Sequence, residues 1–270
     1  MSHPRSPAVA GQFYPSQANE LATAVNEMLQ QADGATQQRP KVLIVPHAGY
    51  PYSGPVAASA YALLKPWRQQ IRRVVLLGPA HRMGFHGLAI SSATAFLTPL
   101  GPVPLDQQSI RQISPLPQVH QLDQAHALEH SLEVQLPFLQ QVLESFQLVP
   151  LVVGEASAEE VAEVLEGLWG GDETLILLST DLSHYLDYHT AQQRDQASSE
   201  AILRLDGEAL GYEDACGRNP LKGLLQLARQ RGMAVELLDL RNSGDTAGSR
   251  DRVVGYGAYA LTEPPAAEQQ

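Results

Sequence analysis

The sequence PKVLIVPHAGYPYSG, residues 40–54, joins a short apolar run to a histidine through a single proline. Residues 42–45 are apolar without alternation, a pattern typical of a strand that is covered on both faces. Pro46 cannot donate to the strand ladder, so the strand is predicted to end there and to leave His47 just beyond its carboxyl end. Open α/β sheets bind ligands at that edge. We therefore treat His47 as a candidate ligand, against the alternative of a hydrogen-bonded loop histidine.

An apolar run followed by polar candidate residues occurs twice more along the chain. Residues 73–77 form a second largely apolar run that leads to His81, and residues 174–178 form a third that leads to Asp181 and His184. Carboxyl ends of parallel strands meet at one edge of a sheet, so these side chains are expected to gather beside the first histidine. The repetition favours a functional site over three unrelated loop residues.

Two further polar residues precede segments with helical spacing. His130 comes just before a leucine-rich stripe for which Ser131 is the predicted N-cap. Cys216 comes just before a helix for which Asn219 is the predicted N-cap and Pro220 the first residue. A helix N-terminus favours a thiolate, whereas the alternative reading of a lone cysteine is a buried structural thiol.

Composition limits the class of protein. The chain has 270 residues, 44% of them apolar, and a formal net charge of −11 with no basic block, which argues against nucleic acid or an anionic membrane as a partner. One cysteine cannot form an intramolecular disulfide, residues 1–15 contain no apolar core of signal-peptide length, and no apolar run has the length of a membrane span. We expect a cytoplasmic protein with a single domain over residues 1–270, its core at about 5–261 and a disordered tail at 262–270.

Alternating strand and helix patterns predict an α/β fold with helices on both faces of a central sheet that is at least partly parallel. Short strands are also expected at residues 88–90, 148–153, 234–240 and 253–261. Helices are expected at residues 56–64, 157–169 and 190–205, the last two opened by capping-box patterns at Ser157 and Thr190.

The polar residues at the strand ends and helix entrances are candidates for a site that binds one metal ion. Two imidazoles and a thiolate could hold an ion with positions left open for chemistry, while the other polar groups orient ligands or move protons. The chain contains no HExxH, paired CxxC, GxGxxG or P-loop sequence. The remaining histidines are expected to be ordinary surface or loop residues: His3, His86, His120, His126 and His189.

Six ordered segments resemble the signature segments of the Memo-like family. They are AGQFYP (10–15), PHAGYPYSG (46–54), GPAHR (78–82), EHSLEVQLPF (129–138), STDLSHY (179–185) and CGRNP (216–220). The resemblance extends from about residue 5 to about residue 261.

This resemblance implies a three-layer αβα fold related to the class III extradiol dioxygenases, and a metal site at the positions matching His47, His81 and Cys216. It implies iron or copper as the ion, and a functional link to a radical-SAM enzyme encoded nearby. Ring-cleaving relatives complete their ligand set with a carboxylate, whereas this pattern offers Cys216, a softer ligand that shifts the preference toward copper or thiolate-bound iron.

Two functions follow as hypotheses. The first is a metal-dependent redox or dioxygenase-like enzyme that acts on a small molecule, with His130, Asp181 and His184 as its catalytic groups. The second is a non-catalytic module that binds a peptide or phosphotyrosine in the same pocket, lined by Phe13, Tyr50 and Tyr52. A third reading is a scaffold that keeps the pocket without catalysis. The strength of the first hypothesis depends on whether the predicted ligands meet.

Overall fold

The computed structural model of the protein describes residues 3–32 and 38–264. Within this part of the chain the strands are β1 (Val42–Val45), β2 (Arg73–Pro79), β3 (Leu88–Ile90), β4 (Ala95–Thr98), β5 (Gly101–Pro104), β6 (Val119–Gln121), β7 (Gln147–Val153), β8 (Thr174–Ser179), β9 (His184–Leu186), β10 (Ala234–Asn242) and β11 (Val253–Thr262). The helices are α1 (Ala18–Gln31), α2 (Tyr50–Tyr61), α3 (Gln107–Ile113), α4 (Asp123–Ala127), α5 (Leu136–Val142), α6 (Ala158–Leu168), α7 (Tyr188–Leu203) and α8 (Arg218–Gln230).

One mixed sheet runs through the molecule in the order β10-β11-β1-β8-β2-β7-β3-β6, and β9 pairs with β11. The four central strands, β1, β8, β2 and β7, are parallel to one another, and nearly every one of their residues is buried. Their unbroken apolar sequences are what burial on both faces requires. The predicted α/β class and the partly parallel sheet are therefore confirmed.

The strand order differs in one respect from the simplest expectation. β1 and β2 are parallel, but β8 lies between them and pairs with both. The three strands that were predicted to deliver site residues are consequently adjacent, with the third in the middle.

Helices cover both faces of the sheet and complete a three-layer αβα fold. α1, α2 and α5 pack against one another, whereas α8 packs against α6 and β2, and α7 packs against β10 and β11. None of the helices in the described part of the chain is both long and apolar enough to cross a membrane.

Several predicted helix starts were wrong, and for α7 the reason is that a neighbouring residue caps the helix. α7 begins after Asp187, whose carboxylate accepts from Thr190 N–H, so Thr190 is not the cap. α8 begins after Gly217, so Asn219 lies inside the helix. α2 begins at Tyr50, six residues before the predicted start. The capping box at Ser157 is confirmed.

Ser131 does not cap a helix either. Its hydroxyl donates to the carbonyl of Pro79 at 3.0 Å, and a 3-10 turn at Glu133–Gln135 separates it from α5. The side chain thus joins this segment to the end of β2.

The end of the chain differs from the predicted tail. Thr262 is the last residue of β11, and the Glu263 carboxylate accepts a hydrogen bond from the indole of Trp169 at 2.7 Å. Residues 265–270 of the predicted tail lie outside the described part of the chain.

A buried carboxylate fixes the N-terminal segment to the rest of the protein. Glu133 forms a salt bridge with Arg5 and accepts three further hydrogen bonds, from the N–H groups of Ala8 and Val9 and from the hydroxyl of Tyr14. Four donors satisfy the charge of this fully buried group. The network holds residues 5–14 against the helical segment that follows His130.

His126 is buried, contrary to the prediction that it is a surface or loop residue. Only 1% of the residue is exposed, and its Nε2–H donates to the carbonyl of Ala89 at 3.0 Å. Burial is the main reason why its pKa falls from 6.5 to about 4. The imidazole is therefore neutral in the folded protein at neutral pH.

Replacement of Glu133 tests the N-terminal anchor. Glu133→Gln should lower the free energy of unfolding by about 3 kcal/mol, because it leaves the buried Arg5 without its counter-charge. Urea denaturation provides the measurement. Glu144→Gln is the matched control, since Glu144 lies at the surface in an exposed pair with Arg68 and should contribute less than about 1 kcal/mol. Equal losses in both variants would contradict the assignment.

His126 should make the protein more sensitive to acid. Its folded-state pKa lies below its unfolded value, so the unfolded chain takes up a proton that the folded chain refuses as the pH falls from 6.5 to about 4. This costs about 3 kcal/mol of stability across that window. His126→Gln, which does not titrate, should lose that much less stability than the wild type between pH 6.5 and pH 4. Parallel stability curves would show that the imidazole is not held neutral.

Candidate metal centre

The register of the central strands brings the predicted site together. Val45 at the end of β1 lies opposite Ser179 at the end of β8, and two residues later His47 N–H donates to the Asp181 carboxylate at 2.7 Å. His81 lies two residues beyond the end of β2, the neighbour of β8 on its other side. The chain therefore converges on one edge of the sheet from three adjacent strands.

His47, His81 and Cys216 meet at this edge. One potential ligand atom from each lies within 4.8 Å of the other two, and His47 Nε2 is 3.3 Å from Cys216 Sγ. Nitrogen and sulfur ligands bound to one ion at about 2.0 to 2.3 Å would be separated by about 3.5 Å in tetrahedral geometry. The observed spacing fits a single ion.

The hydrogen bonds of Ser179 determine which nitrogen of His47 faces the site. The Ser179 hydroxyl donates to the carbonyl of Ser131 at 2.6 Å, so it must accept from its other partners. It lies 2.9 Å from His47 Nδ1. The proton of the imidazole consequently belongs on Nδ1, and Nε2 directs its lone pair at Cys216.

Glu129 plays the same part for His81. One carboxylate oxygen accepts from His81 Nδ1 at 2.9 Å, and the other accepts from His81 N–H at 2.6 Å. The main-chain N–H groups of His130 and Ser131 also donate to Glu129. Burial acts to raise the pKa of this carboxyl, but these hydrogen bonds, led by that of the His81 ring, lower it to about 2. His81 thus presents Nε2 as the free nitrogen.

Glu129, His81 and His130 also lie close enough together to form a second potential ligand group. The oxygens of Glu129 already accept four N–H donors, however, and an orienting role explains all of them. Carboxylates that fix metal-binding histidines in this way are common at protein metal sites.

Cys216 reaches the site from the loop that precedes α8. Its Sγ accepts from Asp181 N–H at 3.3 Å, and the following residue, Gly217, donates from its N–H to the hydroxyl of Thr180. A Cβ atom at Gly217 would lie 2.6 Å from Cβ of Thr180, so only glycine permits this approach. The loop is held against the residues that follow β8.

Burial, aided by nearby Asp181, raises the pKa of the Cys216 thiol to about 12. The expectation that the helix N-terminus favours a thiolate was therefore wrong for the protein without an ion, because desolvation outweighs the helix dipole. A metal ion would supply the missing positive charge, since coordination deprotonates a thiol outright.

The three residues predicted as catalytic lie around this cluster. Asp181 bonds the main chain of His47 and not its ring, and burial raises the pKa of its carboxyl to about 7. The His130 ring stacks on the His81 ring at 4.7 Å between centroids, and burial lowers its pKa to about 4. His184 begins β9, a strand that the sequence pattern did not predict, and burial lowers its pKa as well.

The aromatic residues predicted to line the pocket occupy three different environments. Phe13 packs on the His130 ring at 4.8 Å, and Tyr52 is 42% exposed. Tyr50 is buried, donates from its hydroxyl to the carbonyl of Val134, and packs on Tyr14. The contacts of Tyr50 are those of a core residue. That Phe13 and Tyr52 contact a bound ligand stays a prediction.

Three orienting residues were missed by reasoning from the sequence: Glu129, Ser179 and Gln135. Gln135 donates to both Ser179 Oγ and the carbonyl of Pro46, and accepts from the Tyr61 hydroxyl. Glu129 is adjacent to His130, and Ser179 ends a strand that leads to Asp181. The only indication in the sequence is that Glu129 and Ser179 lie close to candidate site residues. This closeness does not reveal which histidine ring each of them orients.

The fold and the cluster define an α/β protein with a candidate metal centre of two histidines and one cysteine at the carboxyl edge of its sheet. The family model described as Memo-like protein matches residues 5–260, and the chain belongs to this family.

Several curated relatives, each called a MEMO1 family protein, resemble the chain over nearly its whole length. The protein from Nitrosopumilus maritimus is 33% identical over 94% of this chain and 98% of its own. Those from Ignicoccus hospitalis and Aquifex aeolicus are 35% and 34% identical, over 96% and 93% of this chain and 99% and 97% of their own.

The histidine tautomers can be measured without any metal. Long-range proton–nitrogen correlation spectra of the metal-free protein should show His47 and His81 protonated at Nδ1, because Ser179 and Glu129 accept there. Ser179→Ala should disturb the spectrum of His47 and leave the tautomer of His81 unchanged. An Nε2-protonated His47 or His81 in the wild type would contradict the geometry that we describe.

Proposed function

We propose that this protein binds one iron or copper ion through His47, His81 and Cys216 and uses it in a redox or dioxygenase-like reaction. The observation that carries the proposal is a pair of imidazoles whose Nδ1 atoms are held by Ser179 and Glu129. Each ring keeps Nε2 free, and that of His47 lies 3.3 Å from the partly buried thiol of Cys216. A purely structural thiol would need no such pair of oriented rings.

The donor set suits these metals. Imidazole nitrogens bind iron and copper, and a thiolate favours softer ions. When bound, the ion would supply electron transfer and Lewis acidity at the coordination positions that three protein ligands leave open. Binding would release the proton of Cys216, and metal affinity should therefore increase with pH.

Neighbouring side chains have the contacts needed to support such chemistry. Phe13 packs on the His130 ring, and the Asp181 carboxylate accepts from the main-chain N–H of His47. His130, stacked on His81, offers an imidazole nitrogen that can accept a proton from a bound molecule. Replacement of these residues should change turnover more than metal content.

The competing function is a peptide-binding module that uses the same region without catalysis. The observation in its favour is the exposure of Tyr52, Tyr185 and Tyr212, at 42%, 63% and 73%, since exposed aromatic side chains are common in binding surfaces. A module of this kind would not depend on the ion.

Metal content separates these alternatives. After anaerobic loading with Fe(II) or Cu(I), the wild type should retain about one ion per chain. His81→Gln and Cys216→Ser should each lose most of it, together with any oxygen uptake with catechol-like reductants. His86→Gln is the matched control for His81→Gln, because His86 is an exposed histidine nearby in the sequence, and it should keep full occupancy.

Two outcomes would overturn the proposal. Full occupancy in Cys216→Ser would remove the thiol from the site, and a wild type that binds neither metal would remove the redox function. If phosphopeptide binding is then found and changes by less than about tenfold in Cys216→Ser, or about 1.4 kcal/mol, the binding-module hypothesis replaces ours.

A further inference from the structure

A cleft beside Cys216 has features that the metal site alone does not explain. It has a volume of about 170 Å³, and its walls include Met83, Phe85, Val153, Ala215, Tyr212 and Arg218. A cavity of about 150 Å³ with apolar walls can hold one benzene ring. The cleft is thus large enough for a small cyclic molecule in contact with the wall that carries Cys216.

Arg218 is the distinctive group in this cleft. Its guanidinium lies 3.6 Å from the ring centroid of Tyr212, and one of its nitrogens donates to the side-chain oxygen of Asn219 at 2.9 Å. Within the described part of the chain no carboxylate forms a salt bridge with it, although the exposed Glu155 lines the same cleft. Most of its five N–H donors therefore remain available to a ligand.

The position of this charge is unfavourable for the fold itself. Arg218 is the first residue of α8, where the helix dipole disfavours a cation. Stacking on Tyr212 and the bond to Asn219 nevertheless hold the guanidinium in one orientation. A planar guanidinium that is held in one orientation and has no carboxylate partner is prearranged to bind a carboxylate through two parallel hydrogen bonds.

We propose that this cleft binds a small monocarboxylate with an apolar, ring-sized body, its carboxylate paired with Arg218 and its body packed between Phe85, Met83 and Ala215. The negative charge of Glu155 in the same cleft favours a singly charged carboxylate over a dianionic phosphate. The role of this ligand as the substrate of the metal site depends on the proposed function. Its binding to Arg218 does not require the ion.

The test measures the affinity of the metal-free full-length protein for benzoate, by calorimetry or by following the Arg218 side-chain signal in NMR spectra. Arg218→Gln should weaken benzoate binding at least tenfold, or about 1.4 kcal/mol. Arg218→Lys, which keeps the charge but loses the two parallel N–H donors of the guanidinium, should weaken benzoate binding severalfold. Arg229→Gln, at the exposed far end of α8, is the matched control and should change it less than twofold.

Two probes and one further variant define the chemistry. Benzyl alcohol, which lacks the charge, and acetate, which lacks the ring, should each bind at least tenfold more weakly than benzoate. Glu155→Gln should tighten benzoate binding about two- to fivefold, because it removes a negative charge that faces the ligand. Urea denaturation of each variant confirms that it is folded.

The proposal fails if benzoate does not bind, if Arg218→Gln and Arg229→Gln behave alike, or if Glu155→Gln weakens binding. It also fails if phenyl phosphate binds more tightly than benzoate, a result that would assign the cleft to phosphate. Metal content is measured separately on the same preparations. A protein that binds benzoate but neither metal would contradict the proposed function alone. A protein that binds the metal but not benzoate would contradict the carboxylate site alone.

Discussion

The parallel pairing of β1 with β8 is the constraint on which the candidate site depends. It places Val45 opposite Ser179, so the residues that follow the two strands must meet. His47 then donates from its ring Nδ1–H to the Ser179 hydroxyl and from its main-chain N–H to the Asp181 carboxylate. A slip of one residue would turn the side chains of one strand to the opposite face and separate these partners, and the apolar sequences on both faces do not prevent such a slip by themselves. The polar contacts at the strand ends therefore fix the register as well as the histidine.

Burial gives the centre its chemical character. Desolvation lowers the pKa of His47, raises that of the Cys216 thiol to about 12 and raises that of Asp181 to about 7. Each shift favours the neutral form, so His47 and the Cys216 thiol are uncharged in the folded protein without an ion. The same environment would strengthen the interaction with a cation once the thiol has lost its proton. Ser179 holds the ring of His47, Glu129 holds that of His81, and both orienting groups also bond the main chain of Ser131.

The central strands and their carboxyl-edge residues could be predicted from the sequence because continuous apolar runs and terminal prolines are local signals. The helix starts were less predictable, since Ser131 and Asn219 have the side chains of typical caps but bond Pro79 and Gly154 instead. β9 has three residues, and its sequence, HYL, lacks the continuous apolar run that marks the equally short β3. The orienting roles of Glu129 and Ser179 depend on tertiary contacts across 48 and 132 residues, which no local pattern encodes. His126 was misjudged for the same reason, because its burial comes from Phe96 and the strand at Ala89.

The central claim is that two imidazole nitrogens and one thiolate sulfur bind the same ion. X-ray absorption spectroscopy of the iron- or copper-loaded protein measures these ligands directly. We predict one sulfur at about 2.3 Å and two imidazole nitrogens at about 2.0 to 2.1 Å from the metal, with the sulfur contribution missing from any ion retained by Cys216→Ser. A first coordination shell made only of nitrogen and oxygen in the wild type would contradict the account.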